Sequence, residues 1–451
     1  MVKPSVFSFP GHNRTMRKSI LILLFWPAFA LAQDLPSDTA KDDAAAPNSG
    51  AGQAAAATAD RPDAVPLEEI QRYVSVYRAI KDAYVDPISD KNLMRAALRG
   101  LLADLDPHSA YMEKTAADSF NEQATGSYVG VGVELELRPD HSLTVISPID
   151  GSPAAKAGIR SGDVISAIDG KPVVATDVDT ASGALRGPPG TTVKITLLRE
   201  GEKTPREVSL VRANIKLDSV ESRMLEPGYG YLRISSFQTN TGPATAKAIA
   251  ALMQLSGGRL RGLVLDLRSN PGGLLDAAVA AADALLDDGV IVSTRGRLAS
   301  SNVVYRAKRG DALAGAPMVV LIDGGTASAA EVLAGALHDQ KRAVLMGSRS
   351  FGKGSIQSVV SLANGDAVKL TTGRYFTPSG ESIQAHGIVP DIALHGKNNR
   401  GLREQDLPGH LKGGEEDDDG FALGEVLDGD APIAAALAQL KKMPTASTAN
   451  R

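Results

Sequence analysis

The sequence predicts a mixed α/β chain built in layers. Three observations carry this expectation. Two helically spaced segments come first, a block of short strands and glycine turns follows, and from Gly230 onward apolar runs alternate with helical spacing. The chain has 451 residues, 43% of them hydrophobic, enough for more than one core. A net charge of −4 gives no basic surface for nucleic acid. The absence of cysteine excludes a thiol nucleophile, a Cys-ligated metal and a disulfide.

Arg14, Arg17 and Lys18 precede the apolar run Ser19 to Ala32, which ends in a small-x-small pattern. Residues 1–32 are therefore expected to be a secretory signal, with Met1 or Met16 as the start and an exported or periplasmic, membrane-associated or free, mature chain. The run is about half of the ~20 residues a membrane span needs. Residues 33–66, rich in Ala, Asp, Pro and Thr, read as a disordered linker. Residues 67–125 form a helical region: Ile70, Val74, Tyr77, Ile80 and Tyr84 recur at helical spacing, Asp86-Pro87 breaks the pattern, and a second helix carries Leu93, Ala97 and Leu101 up to Asp106-Pro107-His108-Ser109. Their apolar faces are expected to pack on each other or on a second subunit.

From Gly126 strands and turns take over. Tyr128 to Leu135 alternates, Ser142 to Ser147 is a second strand, and Ser152-Pro153-Ala154-Ala155 starts a short capped helix that ends at Gly158. Val164 to Ile168 runs into the turn Asp169-Gly170, and Val193 to Arg199 is a further strand. With Gly130-Val131-Gly132-Val133 and Gly162-Asp163-Val164-Ile165 in order, residues 126–214 resemble a PDZ domain. The resemblance implies that Gly130, Val131, Gly132 and Val133 bind a peptide's terminal carboxylate on backbone N–H groups.

Residues 215–395 alternate strands and helices, and residues 396–451 form a polar tail with a terminal helix near Pro432 to Met443. The acidic run Glu415 to Asp419 reads as a solvated surface, and no metal or other cofactor is expected. The chemistry gathers at Asp323-Gly324-Gly325-Thr326-Ala327-Ser328. This stretch leaves the apolar strand Met318 to Ile322 and enters the helix that begins at Ala329. A serine at such a turn lies where unpaired helical N–H groups point outward, so Ser328 is the expected nucleophile. Lys353, between Gly352 and Gly354, is the expected base. To work it must be neutral, which burial among Phe351, Ile356 and glycines would favour, with no acid nearby in sequence. Gln357 can hold the amine without charging it. Ala329 and the turn Ser269-Asn270-Pro271-Gly272-Gly273 offer oxyanion donors at Ala329, Gly272 and Gly273.

Two rivals exist. Ser350-Phe351-Gly352-Lys353 fits a Ser-x-x-Lys pattern, but its glycines oppose the helical turn that pattern needs. His338 lies ten residues along the helix from Ser328, ~15 Å by helical rise, too far to serve it. A non-catalytic PDZ scaffold on an inactive core is the alternative outside enzymology.

Taken together, these stretches, with Leu185-Arg186-Gly187-Pro188, Asp266 to Gly273, Thr372 to Gly380 and Gly387 to Asp391, resemble the carboxyl-terminal processing peptidases over about residues 67–394. The resemblance implies a crotonase-like core with an inserted PDZ domain. It also implies a serine endopeptidase that grips the free C-terminus of a protein substrate, with Ser328 as nucleophile, Lys353 as base and Gln357 as support. Ala330 and Ser269 depart from the family's usual Ser and Asn. Arg186 is a candidate link between PDZ occupancy and the active site. Self-association and an activating adaptor are both compatible with the sequence.

Overall fold

The computed structural model describes residues 65–138, 142–149, 151–173, 178–395, 402–413 and 425–444. The expected signal, nearly all of the linker and the acidic run Glu415 to Asp419 lie outside these residues. Residues 65–96 and the described residues from Ala97 onward belong to separate compact units.

The larger unit is organised on a six-stranded sheet in the order Val220–Glu226, Tyr229–Ile234, Gly262–Asp266, Met318–Ile322, Val344–Gly347 and Ile392–Ala393. The first pair is antiparallel and the rest are parallel. A parallel sheet must be covered on both faces, which is why its strands read as continuous apolar runs. On one side Leu263, Leu265, Val320 and Ile322 pack with the helices Thr241–Leu255, Leu275–Asp283 and Ala329–Asp339. On the other, Val264, Val319 and Leu321 meet Ile433, Ala436 and Leu440 of the terminal helix Ala431–Leu440. The terminal helix foreseen in the tail is thus a structural layer. Within the polar tail, Arg403 and Glu404 are both buried.

A second sheet pairs Ala110–Met112, Ala367–Phe376, Val290–Arg295 and Val303–Arg306 in that order, with Ser355–Ser361 also on Ala367–Phe376. It carries the segment that follows Lys353. A third sheet, Val133–Leu137, Leu143–Pro148, Val164–Ile168, Thr192–Leu198 and Arg206–Val211, encloses its own core of Val145, Ile165, Val193 and Ile195. The strand expected from Tyr128 to Leu135 is broken at Val131-Gly132. Its first half, Ser127–Gly130, pairs with Ala213–Lys216, and Gly132 takes φ 77°. Ser152 caps the helix Pro153–Lys156, accepting the Ala155 N–H at 3.0 Å.

In the smaller unit, helix Leu67–Ala83 meets the start of Asp90–Ala103 through Tyr77 Oη to Asp90 Oδ1 (2.7 Å) and Lys81 Nζ to Asp90 Oδ1 (2.8 Å). The first helix buries no residue, and Leu67, Ile70, Tyr73, Val74 and Val76 stay exposed. The first of the two expected arrangements, burial of the apolar faces on each other, is therefore not seen for the first helix. No helix among the described residues is long and apolar enough to cross a membrane.

Candidate active site

The strand Met318–Ile322 is wholly buried and delivers the chain into the turn Asp323 to Ala327. Thr326 fastens that turn: its hydroxyl accepts the Asp323 N–H (2.9 Å) and donates to the Leu267 carbonyl (2.8 Å). Ser328 then takes φ 56° and ψ −118° at the N-cap of helix Ala329–Asp339. L side chains rarely adopt this conformation, and it persists only where surroundings enforce it.

The enforcing group is Glu331, which sequence reasoning passed over. Its Oε2 accepts the N–H of Ser328 at 2.7 Å and that of Lys353 at 2.9 Å. Its Oε1 accepts the Gly352 N–H (2.7 Å) and the Ser350 hydroxyl (2.5 Å). One oxygen therefore fixes the main chain of both expected catalytic residues, whose nitrogens can lie no farther apart than those two bonds laid end to end. Burial pushes the carboxyl up to about 7 against the pull of these four donors. The signal was present in the Ser-x-x-Glu spacing at the helix start, a capping-box pattern.

Ser350, the hydroxyl of the rival pattern, is committed to Glu331 and to the Ile388 N–H (2.6 Å), and its segment is not helical. His338 sits beside Asp339 and Asp391 (3.3 and 3.2 Å).

Lys353 is largely shielded. Burial, with the charge of Lys369 adding to it, lowers the amine from its ordinary range. Glu404, Glu331 and Asp106 pull it back up. This corrects the expectation of a site without acids: none is adjacent in sequence, but three carboxylates arrive through the fold. Gln357 does not reach the amine. A register shift falls between Ile356 and Gln357, and the Gln357 amide donates to Ser355 Oγ (3.0 Å) and Thr371 Oγ1 (3.3 Å). Among the described residues no hydrogen bond joins Lys353 Nζ to Ser328 Oγ. The Ser328 side chain instead lies by the buried hydroxyl of Tyr375, which burial pushes up to about 12 while the serine tempers the rise. Gly354 is a steric requirement, because a Cβ there would lie 2.3 Å from the Gln384 nitrogen.

The turn Ser269 to Gly273 presses directly on the serine. A Cβ on Gly272 would stand 2.8 Å from the Ser328 Cβ and 3.0 Å from the Ala329 nitrogen. Buried Asn270 builds the turn, donating to the Ile234 carbonyl (2.8 Å), while its main-chain carbonyl accepts the Ala327 N–H (2.9 Å). Its Oδ1 takes the Gly272 N–H (2.9 Å), so of the three expected oxyanion donors Gly272 is spent. The N–H groups of Gly273 and Ala329 have no acceptor among the described residues.

In the third sheet's domain the carbonyls of Val131 and Gly132 accept from the Ala154 N–H (3.0 Å) and the Ser152 hydroxyl (3.1 Å). Gly130, Val131, Gly132 and Val133, with Leu185 and Arg186, line a small pocket. The Arg186 guanidinium lies over the Tyr128 ring at 5.1 Å and pairs with Glu122 of helix Lys114–Thr125.

Comparison with known proteins finds similarity in three segments. Residues 228–394 match peptidase family S41, residues 144–199 match a PDZ domain, and residues 29–116 match the activating protease CtpB N-terminal domain. A carboxy-terminal-processing protease of Bartonella bacilliformis is 41% identical over 78% of this chain and 83% of its own length. The carboxy-terminal processing protease CtpA of Bacillus subtilis is 35% identical over 76% and 71%. Among solved structures, a photosystem II D1 C-terminal processing protease is 34% identical, covering 73% of this chain and 94% of that one, with a TM-score of 0.42. The chain belongs to peptidase family S41 and is a serine peptidase that carries a PDZ domain.

Proposed function

We propose that this peptidase captures the free C-terminus of a protein in its PDZ pocket and cuts the chain upstream by a Ser/Lys acyl-enzyme mechanism. The observation that carries the reading is the shared Glu331 Oε2, which tethers the main chains of Ser328 and Lys353 to one atom. In the reaction the neutral Lys353 amine closes on Ser328 and takes its proton as Oγ attacks the scissile carbonyl. The developing oxyanion is met by the N–H groups of Ala329 and Gly273. The ammonium then returns its proton to the leaving amine, and water, activated by the amine, hydrolyses the acyl-serine. Gln357 acts on Lys353 indirectly: it donates to Thr371, and Thr371 donates to Asp106, one of the carboxylates that act on the amine.

We also propose that Arg186 reports PDZ occupancy. It borders the pocket and holds Glu122. The helix bearing Glu122 accepts the Thr239 N–H on its Ala124 carbonyl (3.2 Å), and Phe237, two residues before Thr239, donates to the Gly272 carbonyl (2.8 Å). The route ends at the oxyanion turn. We further propose that the mature enzyme is exported and that the N-terminal helical region serves an activating partner or a second copy.

The test is cleavage of a mixed peptide library, mapped by mass spectrometry, with free and amidated C-termini side by side and Ser328→Ala as control. The proposal expects cuts dependent on Ser328 and favoured by a free terminus. Equal cutting of amidated peptides removes the PDZ role, and cutting by the Ser328→Ala variant removes the mechanism.

A further inference from the structure

The Lys353 loop is held at a second place by a residue outside the matched peptidase segment. Glu404 donates its main-chain N–H to the Phe351 carbonyl (3.1 Å). Its Oε1 accepts the Gln384 amide (2.9 Å), and Gln384 Oε1 in turn accepts the Gly354 N–H (3.0 Å). The two residues flanking Gly352-Lys353 are thus tied, one directly and one through Gln384, to the same glutamate. Glu404 is completely buried, and its other side-chain partner is His108, whose Nε2 lies 2.7 Å from Oε2. A carboxylate this far from water is rare and persists only with a purpose-built set of donors.

Resting on Lys353 as the base, we propose that Glu404 is a positioning residue that fixes the lysine loop and supplies the negative charge against which the Lys353 ammonium forms when it takes the serine proton. The chemistry asks for such a group. A lysine in a dry site gives up its proton readily but also accepts one reluctantly, and a general base must do both within one turnover. The charges that face Lys353 are Lys369 from the strand Ala367–Phe376, Glu331 from the helix after Ser328, Asp106 from the segment before Ala110, and Glu404 from the tail. Asp106 and Glu331 are held by main-chain and hydroxyl donors, and Glu404 by the His108 ring and the Gln384 amide.

The experiment is the pH profile of kcat/KM for Glu404→Gln, with Lys353→Ala and the parent enzyme alongside. Loss of the charge should move the acid limb to lower pH, by on the order of 0.5–1 unit for a nearby opposite charge, while lowering kcat. A purely structural residue would lower activity at every pH and leave the limb in place, and that result overturns the proposal. So does a limb that moves upward. If Glu404→Gln is not recovered folded, Glu404→Asp draws the carboxylate back by one methylene and should move the limb the same way by less; an unmoved limb there is equally fatal. If Lys353→Ala retains activity, the base assignment itself has failed, an outcome distinct from failure of the Glu404 role.

Discussion

Replacing Glu331 tests the site at its mechanical centre. In Glu331→Ala three buried main-chain donors, on Ser328, Gly352 and Lys353, lose their acceptor. Each unsatisfied buried donor costs about 1–3 kcal/mol, so the loss is about 3 kcal/mol or more. Against a total stability of about 5–15 kcal/mol that is a large share. For a unit of more than 300 residues it corresponds to a fall of roughly 4–5 °C or more in melting temperature. Glu331→Gln should cost less. Its amide oxygen can stand where Oε2 was and keep Ser328 and Lys353 together. Its NH2 can donate to Ser350 Oγ, reversing that bond, and only the Gly352 N–H then faces another donor. The glutamine variant should lose about 1–3 kcal/mol and keep measurable turnover, whereas the alanine variant should lose turnover as the two loops part. Thermal melts and active-serine labelling with a fluorophosphonate, both at pH 8 where the carboxylate is ionised, would measure this. An alanine variant that melts and labels like the parent, or a glutamine variant worse than alanine, would refute the reasoning.

Lys353→Met should abolish turnover and at the same time stabilise the fold. Because burial lowers the folded amine's affinity for protons, the parent loses stability as pH falls from the ordinary lysine range toward the folded value, so the variant's advantage should be larger at pH 6.5 than at pH 9.5 in parallel melts. Parent activity should rise with pH through the same window, and a rate flat from pH 5 to 9 would count against a lysine base. Gly272→Ala places a Cβ 2.8 Å from the serine Cβ at a φ of +100°, and should cut kcat by at least about a hundredfold, seen in single-turnover assays. Tyr375→Phe removes the hydroxyl beside the Ser328 side chain; a loss of about tenfold in kcat, about 1.4 kcal/mol, with KM little changed is expected.

What could be read in advance follows physical lines. Met318–Ile322 and Ala329–Asp339 announce themselves because a strand buried on both faces is uninterruptedly apolar, and a helix packed on it shows periodic small and apolar residues. Ser328 and Lys353 could be paired because each stands in a glycine-rich turn next to such a strand. Helix Lys114–Thr125 falls within the helical region expected over 67–125 but is not singled out there, because its apolar residues are three alanines and one Phe and none is fully buried. Val220–Glu226 is an edge strand with mostly exposed or half-exposed residues and gives no alternation to find. The Gln357 contact could not be foreseen, since a one-residue shift in strand pairing decides where its amide points. Glu404 is the extreme case. It arrives from a polar stretch distant in sequence, and nothing local to residue 404 says that it will end up dry.

The PDZ domain enters and leaves the peptidase at a single point. Its flanking strands, Ser127–Gly130 and Ala213–Lys216, run side by side, and the Leu217 N–H bonds to the Gly126 carbonyl at 2.7 Å. The insertion is therefore a loop whose two ends already touch, and the host chain would be continuous across that junction without it. Such a seam lets one PDZ cassette be traded for another by a single genetic exchange while the peptidase core is inherited intact.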